Sequence, residues 1–190
     1  MKNLIETLQR IDKIYYTIAD LRKITRLSTN SLYVVLSRLV RRKSLIRLTS
    51  GVFMVSDKYN QIDVAANMLY QPSYLSFESA LSRYGILSQV PYALTFATTK
   101  KTLSKKMDGV AVEYRMLKKS LFFGFERSGL LFIATPEKAL LDTLYFASFG
   151  KLIVKIDQFD VKEINSTKMK KLMAAYPERT QTMVYELLTL

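Results

Sequence analysis

Ser31, Tyr33, Val34, Ser37, Arg38, Arg41 and Arg42 fall on one face of a helix read over residues 31–43, with hydroxyls near its start and cationic groups toward its end, where Lys43 follows. Short hydroxyl and ring groups suit hydrogen bonding to flat polar edges, and guanidinium groups suit bidentate pairing with phosphate. Ser28, Thr29 and Asn30 come just before, where the free N–H groups and dipole of a helix start attract an anion. Arg47, Ser50 and Gly51 follow within a short hairpin. Hydroxyls leading and arginines trailing along one helix match a base-reading, phosphate-gripping surface. Ser31, Tyr33 and Ser37 are expected at bases, Arg41, Arg42 and Lys43 at phosphates, and Arg38 at either.

Such a surface has to be positioned by a core, and the flanking pattern supplies one. Leu4, Leu8 and Ile11 share one face of a helix over residues 4–11, Thr17 caps a second over 18–24, and a polar turn spans 26–30. Leu32, Val35, Leu36, Leu39 and Val40 follow the spacing of a docked helix. Two apolar runs, 45–48 and 52–55, are joined by Thr49-Ser50-Gly51; Ile46, Leu48, Phe53 and Val55 are expected to cover the helices, leaving Arg47 and the tip outside. Residues 56–58 end the hairpin. Helix, turn, helix and hairpin over residues 17–55 are the order of a winged helix-turn-helix. Two plainer readings compete: a solvated basic helix, or a winged module that binds a protein partner and no DNA.

Composition narrows the alternatives. The 190-residue chain has formal net charge +13. Residues 1–58 carry 12 Lys/Arg against 4 Asp/Glu and residues 59–190 carry 17 against 12, so the field that attracts an anion is concentrated at the N-terminal end. Cysteine and histidine are both absent, which removes disulfides, Cys/His zinc sites, thiol nucleophiles and imidazole catalysis. No apolar run approaches the roughly 20 residues of a membrane span, and Met1-Lys2-Asn3 leads into an amphipathic helix, so a cytoplasmic protein with no membrane partner is expected. Glu78, Glu137 and Asp142 each read as helix-surface carboxylates, Asp157 and Asp160 fall short of a metal site, and Gly124 and Gly129 match no phosphate loop. No enzyme, cofactor or metal is therefore expected. Lys100, Lys101, Lys105, Lys106, Lys118 and Lys119 make a secondary basic concentration, suited to extending a nucleic-acid footprint or to protecting a sheet edge.

A helix over 62–70 follows the hairpin, and the boundary is placed at 58/59. Residues 71–73 read as a turn, Ser76 as the cap of a helix over 77–84 closed by Gly85, and 92–98, 111–116, 120–125 and 130–134 as strands of a small antiparallel sheet. Thr135-Pro136-Glu137 starts a helix with a capping hydroxyl, and Ala139, Leu140, Thr143, Leu144 and Ala147 form its buried stripe. Residues 155–190 read as helical, with Pro177 opening the last helix. The fold class is thus α+β, a winged domain followed by a mixed α/β domain.

Three segments resemble the AbiEi-type antitoxins of abortive-infection toxin–antitoxin systems: Tyr74-Leu75-Ser76-Phe77-Glu78-Ser79-Ala80-Leu81 with Tyr84-Gly85, Phe96-Ala97-Thr98-Thr99, and Ala134-Thr135-Pro136-Glu137-Lys138-Ala139-Leu140-Leu141-Asp142. Tyr84 stands where that family often carries His, and residues after about 150 are less alike. The resemblance implies a repressor that binds double-stranded DNA at its own operon, with inverted repeats as the expected operator. It also implies an antitoxin domain over 59–190 that neutralises a nucleotidyltransferase-like toxin without requiring a stable complex.

Overall fold

In the computed structural model, residues 2–162 and 164–188 are described. The architecture is α+β, and contacts divide the chain into two compact units, Met1–Ala66 with Lys106–Val110, and Asn67–Lys105 with Ala111–Leu190. The division falls past the 58/59 boundary expected from the sequence, inside a helix.

In the first unit the order is α1 (Lys2–Ile11), β1 (Tyr16–Thr17), α2 (Ile18–Thr25), α3 (Thr29–Arg41), β2 (Leu45–Thr49) and β3 (Val52–Val55), then a 3-10 segment, Ser56–Gln61, and α4 (Ile62–Leu69), within which the boundary lies. The strands pair in the order β1-β3-β2. Their core is wholly apolar but for the Tyr16 hydroxyl, which donates to the Leu8 carbonyl: Leu8, Leu21, Leu32, Leu36, Leu39, Leu45, Phe53 and Val55 pack with Tyr16.

Two expectations change here. The short strand β1 was not anticipated; it pairs Tyr16 with Phe53 and Thr17 with Val52. The inward face of β2 is the one holding Leu45, because Leu45 pairs with Val55 and Arg47 with Phe53, so Ile46, paired with Met54, points to the other face, and Leu48 lies at a register shift between Arg47 and Thr49, outside the helical core. Leu45, Ile46 and Leu48 are all buried, and a run apolar on both faces leaves its period-two phase undetermined.

Beyond α4 the chain adds β4 (Ser73–Leu75), α5 (Phe77–Arg83), β5 (Ala93–Thr98), β6 (Leu103–Met107), β7 (Val110–Met116), β8 (Phe125–Ser128), β9 (Leu131–Ala134), α6 (Pro136–Ser148), α7 (Ser166–Met173) and α8 (Glu178–Leu188), all in the second unit except Lys106–Val110, the end of β6 and the start of β7. The sheet order is β6-β7-β5-β4-β9-β8. It is mixed, since β5 runs parallel to β7 and β4 parallel to β9, which corrects the expected antiparallel sheet. Ser73 opens a strand and does not end a turn, and the strand expected over 120–125 is a 3-10 turn, Lys119–Leu121, with β8 beginning only at Phe125. The helical reading of 155–190 holds for α7 and α8; residues 163, 189 and 190 lie outside the described ones, as does Met1.

Helix α6 is buried continuously from Glu137 to Phe146 and packs against α5, α7 and α8, so it is central and not faced by a single stripe. Thr135 and Ser76 both precede helices, yet neither side chain caps: the Thr135 hydroxyl has no partner among the described residues, and the Ser76 hydroxyl donates to Asp142.

Candidate nucleic-acid interface

Helix α2 is set by a reciprocal capping box. The Asp20 amide donates to Thr17 Oγ1 at 3.2 Å and the Thr17 amide donates to Asp20 Oδ2 at 2.9 Å, so two N–H groups at the helix start are satisfied. Lys13 also donates to Asp20 at 2.8 Å, and this cation, helped by the Thr17 hydroxyl and amide, holds the Asp20 pKa down to about 2. The helix closes at Arg26, whose amide donates to the Arg22 carbonyl from a left-handed conformation, φ 55°.

Ser28 caps α3, accepting the Ser31 amide at 3.3 Å and donating its own hydroxyl to Ser31 Oγ at 2.9 Å. The helix therefore starts at Thr29, two residues earlier than expected, and Ser28 is occupied locally. Thr29 is half-buried, whereas Asn30, Ser31, Tyr33, Val34, Ser37, Arg38 and Arg41 are exposed. Arg42 is the cap residue at the far end. The Lys43 amide donates to the Val40 carbonyl at 2.9 Å and the Ser44 amide to the Leu39 carbonyl at 3.0 Å, a Schellman closure with Lys43 at the left-handed position, φ 56°. Glycine is the usual residue at such a position because a Cβ is penalised there. Basic residues stand at the left-handed position closing each of α2 and α3.

Tyr33 and Ser37 of α3, Arg47 of β2 and Ser50-Gly51 at the hairpin tip line one cavity of about 240 Å³, floored by Leu36, Val40 and Phe53. Five of the residues read from the sequence as one surface, Tyr33, Ser37, Arg47, Ser50 and Gly51, line this cavity, and Arg38 and Arg41 are exposed on α3 outside its lining. Arg22, Lys23 and Arg26 line a separate shallow cavity on α2 with Ala19 and Leu27. Those three cations were missed by the sequence reading; the signal was the Arg22-Lys23 pair on the helix preceding the turn.

The secondary lysines do not behave as one group. Lys100 and Lys101 follow β5, and Lys118 and Lys119 follow the parallel strand β7, so these four sit at one end of the sheet; Lys105 and Lys106 are successive residues of the outer strand β6 and point to opposite faces.

Of the carboxylates read as surface groups, Asp142 and Glu137 are buried and Glu78 is half-buried. Asp142 is fully buried and accepts from Tyr74 at 2.9 Å, Ser76 at 2.8 Å and Tyr176 at 2.8 Å, and pairs with the equally buried Lys138. Lys138 also donates to the Tyr176 hydroxyl at 2.6 Å, and its ammonium lies 5.1 Å from the Phe123 ring centre. Burial pushes the Lys138 pKa down, against the pull of Asp142, and raises those of Tyr74 and Tyr176. Gly124, at φ 70°, makes room: a Cβ there would stand 3.2 Å from the Lys138 chain. Glu137 is buried and meets Lys168 at 3.1 Å, while Glu78 is held by Arg115 at 2.8 Å. Tyr84 donates to the Ala134 carbonyl at 2.9 Å. Every polar atom of the Asp142 cluster has an internal partner, which suits a structural centre. Among the described residues no three His, Cys, Asp or Glu gather as metal ligands, and no helix is long and apolar enough to cross a membrane.

Compared with known proteins, the chain matches no family model and no curated sequence.

Proposed function

We propose that residues 17–55 form a winged helix-turn-helix and that the protein is a sequence-specific, cytoplasmic DNA-binding repressor of its own operon, acting also, through residues beyond the wing, as antitoxin to a nucleotidyltransferase-like toxin. The observation that carries the DNA reading is the cavity where Tyr33 and Ser37 face Arg47, Ser50 and Gly51. A helix laid in a major groove presents its early residues to base edges, while an adjacent hairpin reaches the backbone. Arg22, Lys23 and Arg26 on α2 extend the cationic surface in the way the first helix of such motifs crosses the phosphates. The antitoxin role rests on the resemblance to AbiEi-type proteins alone. No catalytic step or cofactor is proposed.

A second reading, a winged module that binds protein, is favoured by one observation: Tyr33 and Val34 are 51% and 50% exposed on α3, an apolar pair that a protein surface would cover. Titrating operator-duplex affinity against salt separates the two. About five to eight phosphate contacts make log affinity fall steeply with log salt, and a flat response selects the protein-binding reading. Arg41→Ala and Arg42→Ala should each weaken binding to all duplexes and lower the salt slope by about one, whereas Ser31→Ala and Tyr33→Ala should chiefly erode operator discrimination. Unchanged affinity in all four rejects the recognition-helix assignment. For the antitoxin role, the full chain carrying Arg41→Ala and Arg42→Ala should lose repression yet still rescue cells from the co-expressed toxin.

A further inference from the structure

Asn30 lies on α3 and not in the loop before it. Ser28 is the cap, accepting the Ser31 amide, and the helix begins at Thr29, so Asn30 is inside the first turn. Its carboxamide has no capping task there and is exposed. At about 100° per residue, Asn30, Val34 and Arg41 lie opposite the buried stripe of Leu32, Leu36 and Leu39, with Ser37 and Arg38 to either side. Val34 is 50% exposed at the middle of that outward line. Tyr33 instead borders the cavity beside the hairpin, which Val34 does not line.

The side-chain chemistry of the first turns is selective. From Thr29 to Ser37 the helix holds no Arg, Lys, Asp or Glu, and its arginines, Arg38 and Arg41, come in the last turn. In the major groove guanine is read chiefly by a bidentate arginine or lysine on O6 and N7, and cytosine by a carboxylate that accepts from N4. Adenine takes a bidentate carboxamide on N6 and N7, and thymine takes apolar contact on its methyl group. The early turns of α3 therefore carry both partners of an A·T pair and neither charged partner of a G·C pair. Asn30 and Val34 are about 6 Å apart along the helix axis, which matches about two base-pair steps.

We propose that the first turns of α3 read A·T pairs, Asn30 hydrogen-bonding adenine N6 and N7 and Val34 packing on a thymine methyl group. The proposal rests on the duplex-binding reading of α3 and adds to it the identity of the bases. Arg41, on the same line two turns beyond Val34, is left for phosphate.

Selection by the full chain from short duplexes with a randomised centre, followed by affinity and salt titrations on the selected duplex, tests it. A·T pairs should dominate the selected core. Replacing its thymines one at a time by deoxyuridine removes only the methyl group and should weaken the parent about fourfold at one position, the worth of one buried methyl. Val34→Ala should bind the thymine duplex about as weakly and show no further loss with deoxyuridine. Asn30→Ala should lower affinity about tenfold or more. Replacing adenine by 7-deazaadenine, which lacks the N7 acceptor, should weaken the parent about fivefold and leave that variant unchanged. Both base replacements keep the minor-groove edge, so a preference that arose from groove width at the hairpin would not respond to them. Each variant exchanges an exposed side chain for a better helix former, so neither thermal midpoint should fall. A steep salt response with a G·C core, or with no penalty for deoxyuridine and 7-deazaadenine, overturns the base assignment and leaves duplex binding standing. A flat salt response with no duplex enriched overturns both.

Discussion

The two units use charged side chains in opposite ways. In the first, an apolar core of leucines, Phe53, Val55 and Tyr16 carries the packing, and cations such as Arg38, Arg41 and Arg47 stand in solvent. In the second, a lysine and an aspartate are buried together among tyrosines, with Asp142 accepting from Tyr74, Ser76 and Tyr176. An exposed cation keeps its charge available to a ligand, whereas a buried pair is consumed by its neighbours and contributes chiefly to which packing is allowed. Two of the three segments read from the sequence as AbiEi-like, 74–81 and 134–142, contribute Tyr74, Ser76, Lys138 and Asp142 to that buried centre.

The contrast is tested most severely at Asp142. Asp142→Ala leaves the Lys138 ammonium buried without a carboxylate and should destabilise the protein by about 3–5 kcal/mol, while Lys138→Met with Asp142→Leu removes the unpaired charge but still leaves the Tyr74, Ser76 and Tyr176 hydroxyls without their acceptor, and should recover only part of that loss. Urea unfolding measures both, and equal losses in the single and paired variants would mean that the pair itself, and not its mutual neutralisation, carries stability. A smaller effect is expected in the first unit, where Asp20→Asn breaks the capping box and its Lys13 contact at a cost of about 1 kcal/mol at neutral pH. The folded-state pKa of Asp20, near 2, lies below the ordinary 3.8, so its stabilisation is complete above about 4 and is lost as pH falls toward 2. The gap between the parent and Asp20→Asn unfolding curves should therefore close over that window. Smallest is Lys43→Gly, which relieves a left-handed Cβ and should raise stability by roughly 0.5 kcal/mol while lowering duplex affinity. A thermal midpoint that rises with no change in affinity would detach Lys43 from the proposed interface.

Legibility differed between the units for physical reasons. Helices α2 and α3 are readable because Thr17, the leucine spacing and the polar turn are local signals that agree with one another. The phase of β2 was not readable, since Leu45, Ile46 and Leu48 are apolar on both faces and only pairing with β3 decides which looks inward. In the second unit, Thr135-Pro136-Glu137 marked the start of α6 correctly, but a helix buried all round carries no polar face to betray its setting, so Asp142 and Glu137 passed for surface groups. Ser76 looked like a cap because its residue type is common there; its hydroxyl went instead to a carboxylate 66 positions away in the chain.

Charge placement, the absence of thiol and imidazole groups, and the helices with local start and stop signals were all present in the order of the residues. Strand partners, the parallel pairings and the burial of Lys138 with Asp142 arose only on folding. Each of these brings together groups far apart along the chain, and no local preference reports where distant segments will meet.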